Sequence, residues 1–478
     1  MDRILMLMTA QGALGAFDAI FHHEVTERLT WRPGSDAELR VHAIRNFFYF
    51  LLFMGFAWAE WHGVWGIALM LLLATEIVVT LIDFVIEDRT RDLPATERVT
   101  HTVLAINFGV ILAVLLPELW QWAALPTAIV PASHGILSWI STAIGVGALI
   151  DAVRDGTRHF AMRKRSRQVT PALGAMLPGR QSILITGGTG FVGTRLAEAL
   201  ADAGHAVTVL TRDPRKGRKF RGRVTLIENL ATLGRDTPFD AIVNLAGEPV
   251  ADARWSEAKR RTILESRLST TEAVVKFIAK ARRKPAVLVS ASAVGFYGCD
   301  AERSFDETSE GKACFGHKVC GAWENSARAA EQYGVRVVLL RVGLVMGGSG
   351  GMLSKLLLPF EMGLGGPMGS GTQWMSWVHL DDLVGLILHA IAVETVAGPM
   401  NGTAPEPVRN RDFARALGHA LHRPVFLRVP AFVLKLAFGA MAEELMLSGQ
   451  RVLPKQAEET GYQFLYPTLP EALKEIVG

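Results

Sequence analysis

The chain has 478 residues, half of them hydrophobic, and a formal net charge of only +4. Its length accommodates two or three domains, and so small a net charge says little about nucleic acid, which we do not expect as a partner. Its three cysteines (Cys299, Cys314 and Cys320) form no Cys-x-x-Cys pair, which argues against a disulfide framework and predicts a reducing compartment.

Five apolar stretches occupy the first 150 residues. They cover about 4–21, 47–61, 64–86, 99–116 and 129–150. Most of them lack the polar face of a helix in a soluble bundle, and a bilayer core needs roughly 20 apolar helical residues. The sequence therefore predicts an all-α membrane domain of about five spans over residues 1–153, in contact with membrane lipid. The alternative is a set of buried helices in a soluble bundle.

Arginine placement predicts how this domain is oriented. The connections at 22–45 and 87–98, and the segment after the fifth stretch, are rich in arginine, whereas the opposite side carries only Arg3. Positively charged loops remain in the cytoplasm. We therefore expect a multi-pass protein of the cytoplasmic (inner) membrane, with its N-terminus outside and its C-terminal domain in the cytoplasm.

Histidines and acidic residues gather at the predicted cytoplasmic ends of the spans. The candidate metal ligands among them are His22, His23, Glu24, Glu76, Asp83, Glu87, Glu97 and His101. Glu97 and His101 lie four residues apart and so share a helix face. Carboxylates combined with imidazoles suit iron, manganese or zinc in a helical bundle. A metal ion there is one hypothesis, and a network of arginine–carboxylate pairs at the membrane surface is the other.

Residues 154–181 are basic and then punctuated by proline and glycine, which predicts a linker. Apolar β-type runs alternate with helical segments from residue 182 onward. This alternation predicts an α/β doubly wound Rossmann-type domain over 182–424. A small C-terminal helical domain is expected over 425–478, with one helix at about 431–447.

A glycine turn, Gly187-x-x-Gly190-x-x-Gly193, follows the first predicted strand and begins a helix, which is the context of a dinucleotide-binding turn. Arg212, at the tip of the second strand, favours the 2′-phosphate of NADP, while Asp213 leaves NAD as the alternative. The predicted cofactor contacts are Gly187, Thr189, Gly190, Phe191, Val192, Gly193, Thr211, Arg212, Leu245, Ala246 and Gly247.

Several ordered motifs carry a resemblance to a known family. They are Gly-Gly-Thr-Gly-Phe-Val-Gly (187–193), Asn-Leu-Ala-Gly-Glu-Pro (244–249), Ser-Ala-Ser-Ala-Val-Gly-Phe-Tyr-Gly (290–298), Trp-Val-His-Leu-Asp-Asp-Leu (377–383) and Gly-Gln-Arg-Val-Leu-Pro (449–454). The chain resembles the extended short-chain dehydrogenase/reductases. More narrowly, it resembles the sugar-nucleotide-epimerase-like family sometimes labelled cell-division inhibitor. The resemblance covers about 182–475 and leaves out the membrane region.

The same resemblance raises the question of catalysis. Active members of the superfamily use a Ser with a Tyr-x-x-x-Lys pair for proton transfer beside a hydride carrier. Here Ser292 matches the Ser, whereas Gly316 and Cys320 stand at the Tyr and Lys positions. Tyr297 is either a substitute acid or a packing aromatic, and His379 is expected to be structural.

Three functions follow from these observations. The first is a membrane-anchored NADP-dependent oxidoreductase or epimerase that acts on an unidentified small-molecule substrate, with a mobile glycine-rich lid at 363–371. The second is a non-catalytic NADP-sensing module. The third is an NADPH-linked partner of a metal or redox site in the membrane bundle. The resemblance also implies a homodimer, since members of the superfamily often pair through helices.

Overall fold

The computed structural model describes residues 1–27, 29–31, 35–90, 93–214, 220 and 222–477, with the backbone alone at 30 and 164–171. The chain forms two compact units, Met1–Arg167 and Gln168–Gly478.

Five long helices begin in the first unit, and the last residues of the fifth belong to the second. They are α1 (Asp2–Phe17), which continues as a π-helix over Asp18–Thr26, α2 (Asp36–Trp58), α3 (Val64–Thr90), α4 (Ala95–Ala123) and α5 (Ile136–Gly174). Two short antiparallel strands, β1 (Ala59–His62) and β2 (Ala128–Pro131), pair with each other. All five helices are long and apolar enough to cross a membrane, the fifth over Ile136–Arg163. The prediction of five apolar helices is therefore confirmed.

Apolar side chains cover much of the outside of this unit. Leu71 is 64% exposed, Ile106 65% and Trp120 74%. Inside, histidines and carboxylates such as His22, Glu87 and Glu97 are fully buried. A surface this apolar around a polar interior is unfavourable in water and suits a lipid environment.

Helix α2 begins earlier than its apolar stretch. It starts at Asp36 and so includes Arg40 and Arg45, which the sequence assigned to a connection. Arg45 forms an ion pair with Asp83 of α3. Hydropathy alone places the start of this span near residue 47, because the first three turns of the helix carry polar and charged side chains. Arg45 therefore does not count as a loop charge that orients the domain.

The second unit is built on a parallel sheet. Its strands are β3 (Ser182–Thr186), β4 (Ala206–Leu210), β5 (Val224–Ile227), β6 (Ala241–Asn244), β7 (Val287–Ala293), β8 (Asp300–Phe305), β9 (Arg336–Val342), β10 (Leu344–Met346), β11 (Trp374–Met375), β12 (Trp377–His379), β13 (Gly398–Gly402), β14 (Val408–Arg409) and β15 (Gln450–Val452). Seven of them form one sheet in the order β13-β9-β7-β6-β3-β4-β5. All the neighbouring pairs in this sheet are parallel. The predicted doubly wound architecture is confirmed.

Helices of this unit pack on both faces of the sheet. The helices of the unit are α6 (Phe191–Asp202), α7 (Glu257–Lys280), α8 (Phe315–Arg328), α9 (Gly351–Glu361), α10 (Leu380–Ala392), α11 (Asn410–Ala420), α12 (Ala431–Phe438), α13 (Ala440–Leu445), α14 (Lys455–Glu459) and α15 (Leu469–Val477). One apolar cluster joins the sheet to α6 and α10, and a second joins it to α7 and α8. The core of this unit therefore lies on the two faces of the sheet.

Two segments differ from their sequence-based description. The single helix expected at about 431–447 is divided in two at Gly439, whose φ of +60° no continuous helix adopts. In the expected linker, 154–181, the helix α5 continues to Gly174. Leu173 and Leu177 of this segment are buried in the apolar cluster beneath α6.

Candidate functional site

The glycine turn joins β3 to α6, and two of its glycines are required by the turn itself. Gly187 has φ +68°, and a Cβ there would lie 2.8 Å from the backbone of Leu245 and Ala246. A Cβ on Gly193 would collide with the carbonyl oxygen of Gly187. Both positions therefore exclude any larger residue, whatever the turn binds.

Gly190 is different because the protein itself leaves its surroundings open. Its φ of −82° and ψ of −179° are available to any residue. Among the described residues, a Cβ there would meet only the Gly187 carbonyl oxygen, at 3.1 Å. Gly190 is the N-cap of α6, so the open space lies beside a helix N-terminus, where backbone N–H groups attract anions. The local structure can accommodate a phosphate there.

A buried hydrogen-bond network holds the adjoining strand end. Thr186 Oγ1 donates to Asn244 Oδ1 (2.6 Å), and the Ala246 N–H donates to Thr186 Oγ1 (3.3 Å). Asn244 Nδ2 in turn donates to Thr271 Oγ1 (2.9 Å) and Ser290 Oγ (3.2 Å). The network fixes the chain that continues as Leu245, Ala246 and Gly247 against the glycine turn. These residues lie at the carboxyl edge of the sheet, where doubly wound folds bind ligands.

The tip of β4 presents a guanidinium to solvent. The Thr211 N–H donates to the Ile227 carbonyl (2.9 Å), and Thr211 Oγ1 donates to the Asp213 carbonyl (3.2 Å). The intervening Arg212 has an exposed side chain. A fixed backbone that carries an exposed cation is suited to contact a phosphate group.

The ring of Phe191, the first residue of α6, packs against a second glycine-rich segment. A Cβ on Gly347 would lie 2.8 Å from this ring, and one on Gly351 would lie 3.2 Å from it. Thr189 and Val192 on either side are half-buried. Gly347 was not among the predicted cofactor contacts, although the glycine spacing of its segment (347, 350, 351) was the available signal.

The two catalytic candidates lie in one buried polar network. Ser292 Oγ donates to Glu324 Oε1 (2.7 Å). Arg341 binds both carboxylate oxygens of Glu324, through Nε at 2.9 Å and Nη2 at 3.0 Å. Its Nη1 donates to the Tyr297 hydroxyl (3.0 Å), which donates to Asn401 Oδ1 (2.7 Å). Arg341 was not predicted; an arginine directly after the apolar run 337–340 was the signal.

This network engages the hydroxyl groups of both candidates. Tyr297 is fully buried, and burial raises its pKa to about 12. Its hydroxyl already donates one hydrogen bond and accepts another. Cys320, at the usual Lys position, is buried as well, and burial raises the pKa of its thiol. Ser292 and Tyr297 therefore take part in a buried cluster built around the Glu324–Arg341 ion pair.

His379 has a structural position, as the sequence predicts. It ends β12 and caps α10, because its Nδ1 accepts the Asp381 N–H (3.1 Å). Its Nε2 then donates to Glu475 Oε2 (2.9 Å). Asp381 is paired with Arg195 (2.6 Å), so hydrogen bonds and ion pairs account for this group of polar side chains.

In the described part of the first unit, four of the predicted metal ligands belong to the groups of side chains that could hold an ion, and the other four do not. His23, Glu87, Glu97 and His101 meet in the bundle interior, joined by Asp18 and His42, which were not among the candidates. Two of the remaining four border these groups: His22 is bonded to Asp18, and Asp83 is bonded to His42 and Arg45. The other two have different partners, Arg154 for Glu24 and Thr80 for Glu76. The signal for Asp18 and His42 was an acidic residue four positions from a histidine, in each of the first two helices.

Comparisons with known proteins agree with the fold and the glycine turn. Residues 183–401 match the NAD dependent epimerase/dehydratase family, and residues 429–476 match a domain of unknown function, DUF1731. Epimerase family protein SDR39U1 of Homo sapiens is 40% identical over 299 residues, 62% of this chain and 99% of the human protein. A chloroplastic homologue of Arabidopsis thaliana is 39% identical over 330 residues, 67% of this chain and 91% of the plant protein.

Solved structures give the same result. The crystal structure of human SDR39U1 (isoform 2) with NADPH aligns with a TM-score of 0.57 and 38% identity, covering 62% of this chain and 99% of that one. A nucleoside-diphosphate sugar epimerase from Corynebacterium glutamicum aligns with a TM-score of 0.53 and 29% identity, covering 67% of this chain and 64% of that one.

A seven-stranded parallel sheet with a glycine turn at its first strand–helix junction defines an NAD(P)-binding protein of the extended short-chain dehydrogenase/reductase type. Within that class, the chain belongs to the epimerase family represented by SDR39U1. Both matched segments lie in the second unit.

Proposed function

We propose that this chain is a membrane-anchored protein whose second unit binds NADPH at the glycine turn. The observation that carries the proposal is the open space at Gly190, beside the N-terminus of α6. Among the described residues, only the Gly187 carbonyl oxygen would contact a side chain placed there. A pyrophosphate that accepts hydrogen bonds from the first amides of the helix accounts for a glycine there. The NADPH in the human relative's crystal structure supports the same choice of cofactor.

Arg212 is the proposed determinant of NADPH over NADH. A hydrogen bond between charged groups contributes about 1.5–3 kcal/mol, which corresponds to roughly 10- to 100-fold in affinity. We expect Arg212→Ala to weaken NADPH binding by about this factor and to leave NADH binding within about twofold. Calorimetric titration of both nucleotides measures the effect, and Arg235→Ala, an exposed arginine beyond the site, is the matched control. Equal loss for the two nucleotides would assign Arg212 no role in selectivity.

The first unit is the proposed anchor. Its five apolar helices and exposed apolar side chains support insertion in a bilayer. The arginines of the connections support the orientation proposed here, in which the N-terminus is outside and the NADPH-binding unit is in the cytoplasm.

For the role of the bound nucleotide, we propose an NADPH-responsive binding module. Gly316 and Cys320 stand where the proton-transfer pair of active dehydrogenases would be, and Ser292 and Tyr297 are engaged in the Glu324–Arg341 cluster. The second candidate is an oxidoreductase or epimerase with an unidentified small-molecule substrate. The glycine-rich segment at 363–371 favours it, because such a segment is suited to a mobile lid.

Turnover distinguishes these two candidates. With the full chain in detergent and a panel of sugar nucleotides and lipid-like carbonyl compounds, we expect no substrate-dependent loss of NADPH absorbance, which reports net reduction. Because epimerisation consumes no nucleotide, the same panel is incubated with NADP⁺ and separated by chromatography, and we expect no epimer. The matched variants are Ser292→Ala and Tyr297→Phe. Turnover that falls about 100-fold or more in either variant would establish the enzyme and contradict the binding module.

A further inference from the structure

We propose that the first unit binds one divalent transition-metal ion, such as iron, manganese or zinc, between Asp18, His23, Glu97 and His101. The first two residues lie in the π-helical end of α1, and the other two lie in the first turns of α4. The donor set would be two imidazole nitrogens and two carboxylate oxygens. Such a mixed set suits these transition metals, whereas calcium and magnesium prefer oxygen ligands alone. The proposal is independent of the nucleotide site.

The distances between the ligand atoms match those around a shared ion. His23 Nε2 lies 3.6 Å from Asp18 Oδ2 and 3.6 Å from Glu97 Oε1, and His101 Nε2 lies 3.1 Å from Asp18 Oδ2. All four ligand atoms lie within 4.8 Å of one another. Metal–ligand bonds of about 2.1 Å in a tetrahedral site put the ligand atoms about 3.4 Å apart. A metal ion therefore fits with small side-chain movements.

His23 supplies the second, independent observation. The residue is only 6% exposed, and its Nε2 makes no hydrogen bond within the described part of the chain. That nitrogen is directed at the two carboxylates, 3.6 Å away, which is too far for a hydrogen bond. Leaving a buried polar atom without a hydrogen bond is costly. Coordination would use its lone pair.

Neighbouring side chains orient these ligands in the way that outer residues do in known metal sites. His22 Nδ1 donates to Asp18 Oδ1 (2.8 Å), which leaves Oδ2 directed at His101 and His23. His101 Nδ1 lies 3.6 Å from Glu87 Oε2, and the ring of His42 stacks on that of His23 with centroids 4.6 Å apart. His42 and Glu87 also form, with His23, an adjoining group of three buried residues.

The same spacing recurs through the bundle. Each of the five long helices carries two buried ionisable side chains four residues apart: Asp18 and His22, Glu38 and His42, Asp83 and Glu87, Glu97 and His101, and Asp155 and His159. Ionisable groups within membrane spans are costly and indicate function. A π-helical segment, which is rare and found most often at functional sites, carries Asp18 and His23 onto the same face. Protonated histidines paired with the carboxylates are the competing explanation.

A Co²⁺ titration of the full chain tests the proposal. The protein is purified in detergent, treated with a chelator and titrated with Co²⁺, whose visible absorption reports coordination by nitrogen and oxygen ligands. We expect saturation at one ion per chain and displacement of Co²⁺ by Zn²⁺. His23→Ala and Asp18→Asn should each weaken binding about 100-fold or more. His134→Ala is the control, because His134 lies in the same unit but contacts Asp2 outside the cluster.

Two results would overturn the proposal. One is the absence of saturable Co²⁺ binding to a folded, helical wild-type protein, a result that requires no variant. The other is Co²⁺ affinity in both His23→Ala and Asp18→Asn equal to that of the wild type, which would leave the protonated ion-pair network as the explanation.

Discussion

Replacing Gly190 with valine is expected to abolish NADPH binding while the protein remains folded. The backbone conformation at this position is available to valine, and the nearest protein atom to a new Cβ is a single carbonyl oxygen at 3.1 Å. The side chain would instead occupy the space that we assign to the pyrophosphate. Loss of the phosphate contacts at the helix N-terminus should lower the affinity by about 100-fold or more.

Calorimetric titration with NADPH and thermal unfolding of the same sample measure the two halves of this prediction. Gly234→Val is the matched control, because Gly234 is exposed and a Cβ there would meet nothing closer than Thr237 Oγ1 at 3.8 Å. Wild-type NADPH affinity in a folded Gly190→Val protein would mean that the cofactor binds elsewhere.

Breaking the Glu324–Arg341 pair is expected to give the largest loss of stability in the second unit. Glu324 is 5% exposed and Arg341 4%, and the guanidinium binds the carboxylate in a bidentate ion pair. Glu324→Leu leaves a buried guanidinium without its carboxylate and deprives Ser292 of its hydrogen-bond acceptor. Removing one partner of a buried pair costs about 3–5 kcal/mol, which lowers the unfolding temperature by about 5–8 °C in a unit of this size.

The double variant, Glu324→Leu with Arg341→Met, should recover much of this loss, because no buried charge remains. Thermal unfolding of the single and double variants forms the measurement. Asp236→Asn removes an exposed ion pair with Arg282 and should cost less than about 1 kcal/mol. A double variant no more stable than Glu324→Leu would show that the loss comes from packing and not from the unpaired charge.

Local patterns in the sequence account for most of the nucleotide-binding fold. The sequence has six apolar β-type runs, at 182–186, 206–211, 224–227, 241–245, 286–292 and 335–341, and each of them is a strand of the seven-stranded sheet. The seventh strand, β13, was not predicted, because it begins with Gly398 and Pro399 and both residue types are rare in strands. It lies at the edge of the sheet, where a proline is tolerated. The break between α12 and α13 lies at Gly439, whose positive φ is available to any glycine but is not required by one, so the residue type alone does not predict it.

The polar clusters were harder to predict because their members are distant in sequence. Glu324 and Arg341 come from a helix and a strand, and no local periodicity links them. In the first unit, the spacing of Glu97 and His101 was readable from the sequence. The participation of Asp18 depends on a π-helix, and that of His42 on polar turns that hydropathy does not recognise as part of a span.

Titration of the purified full-length protein with NADPH and NADH tests the central claim most directly. The account predicts one saturable NADPH site per chain, with NADH bound at least about tenfold more weakly. A folded protein that releases no binding heat with either nucleotide would contradict it.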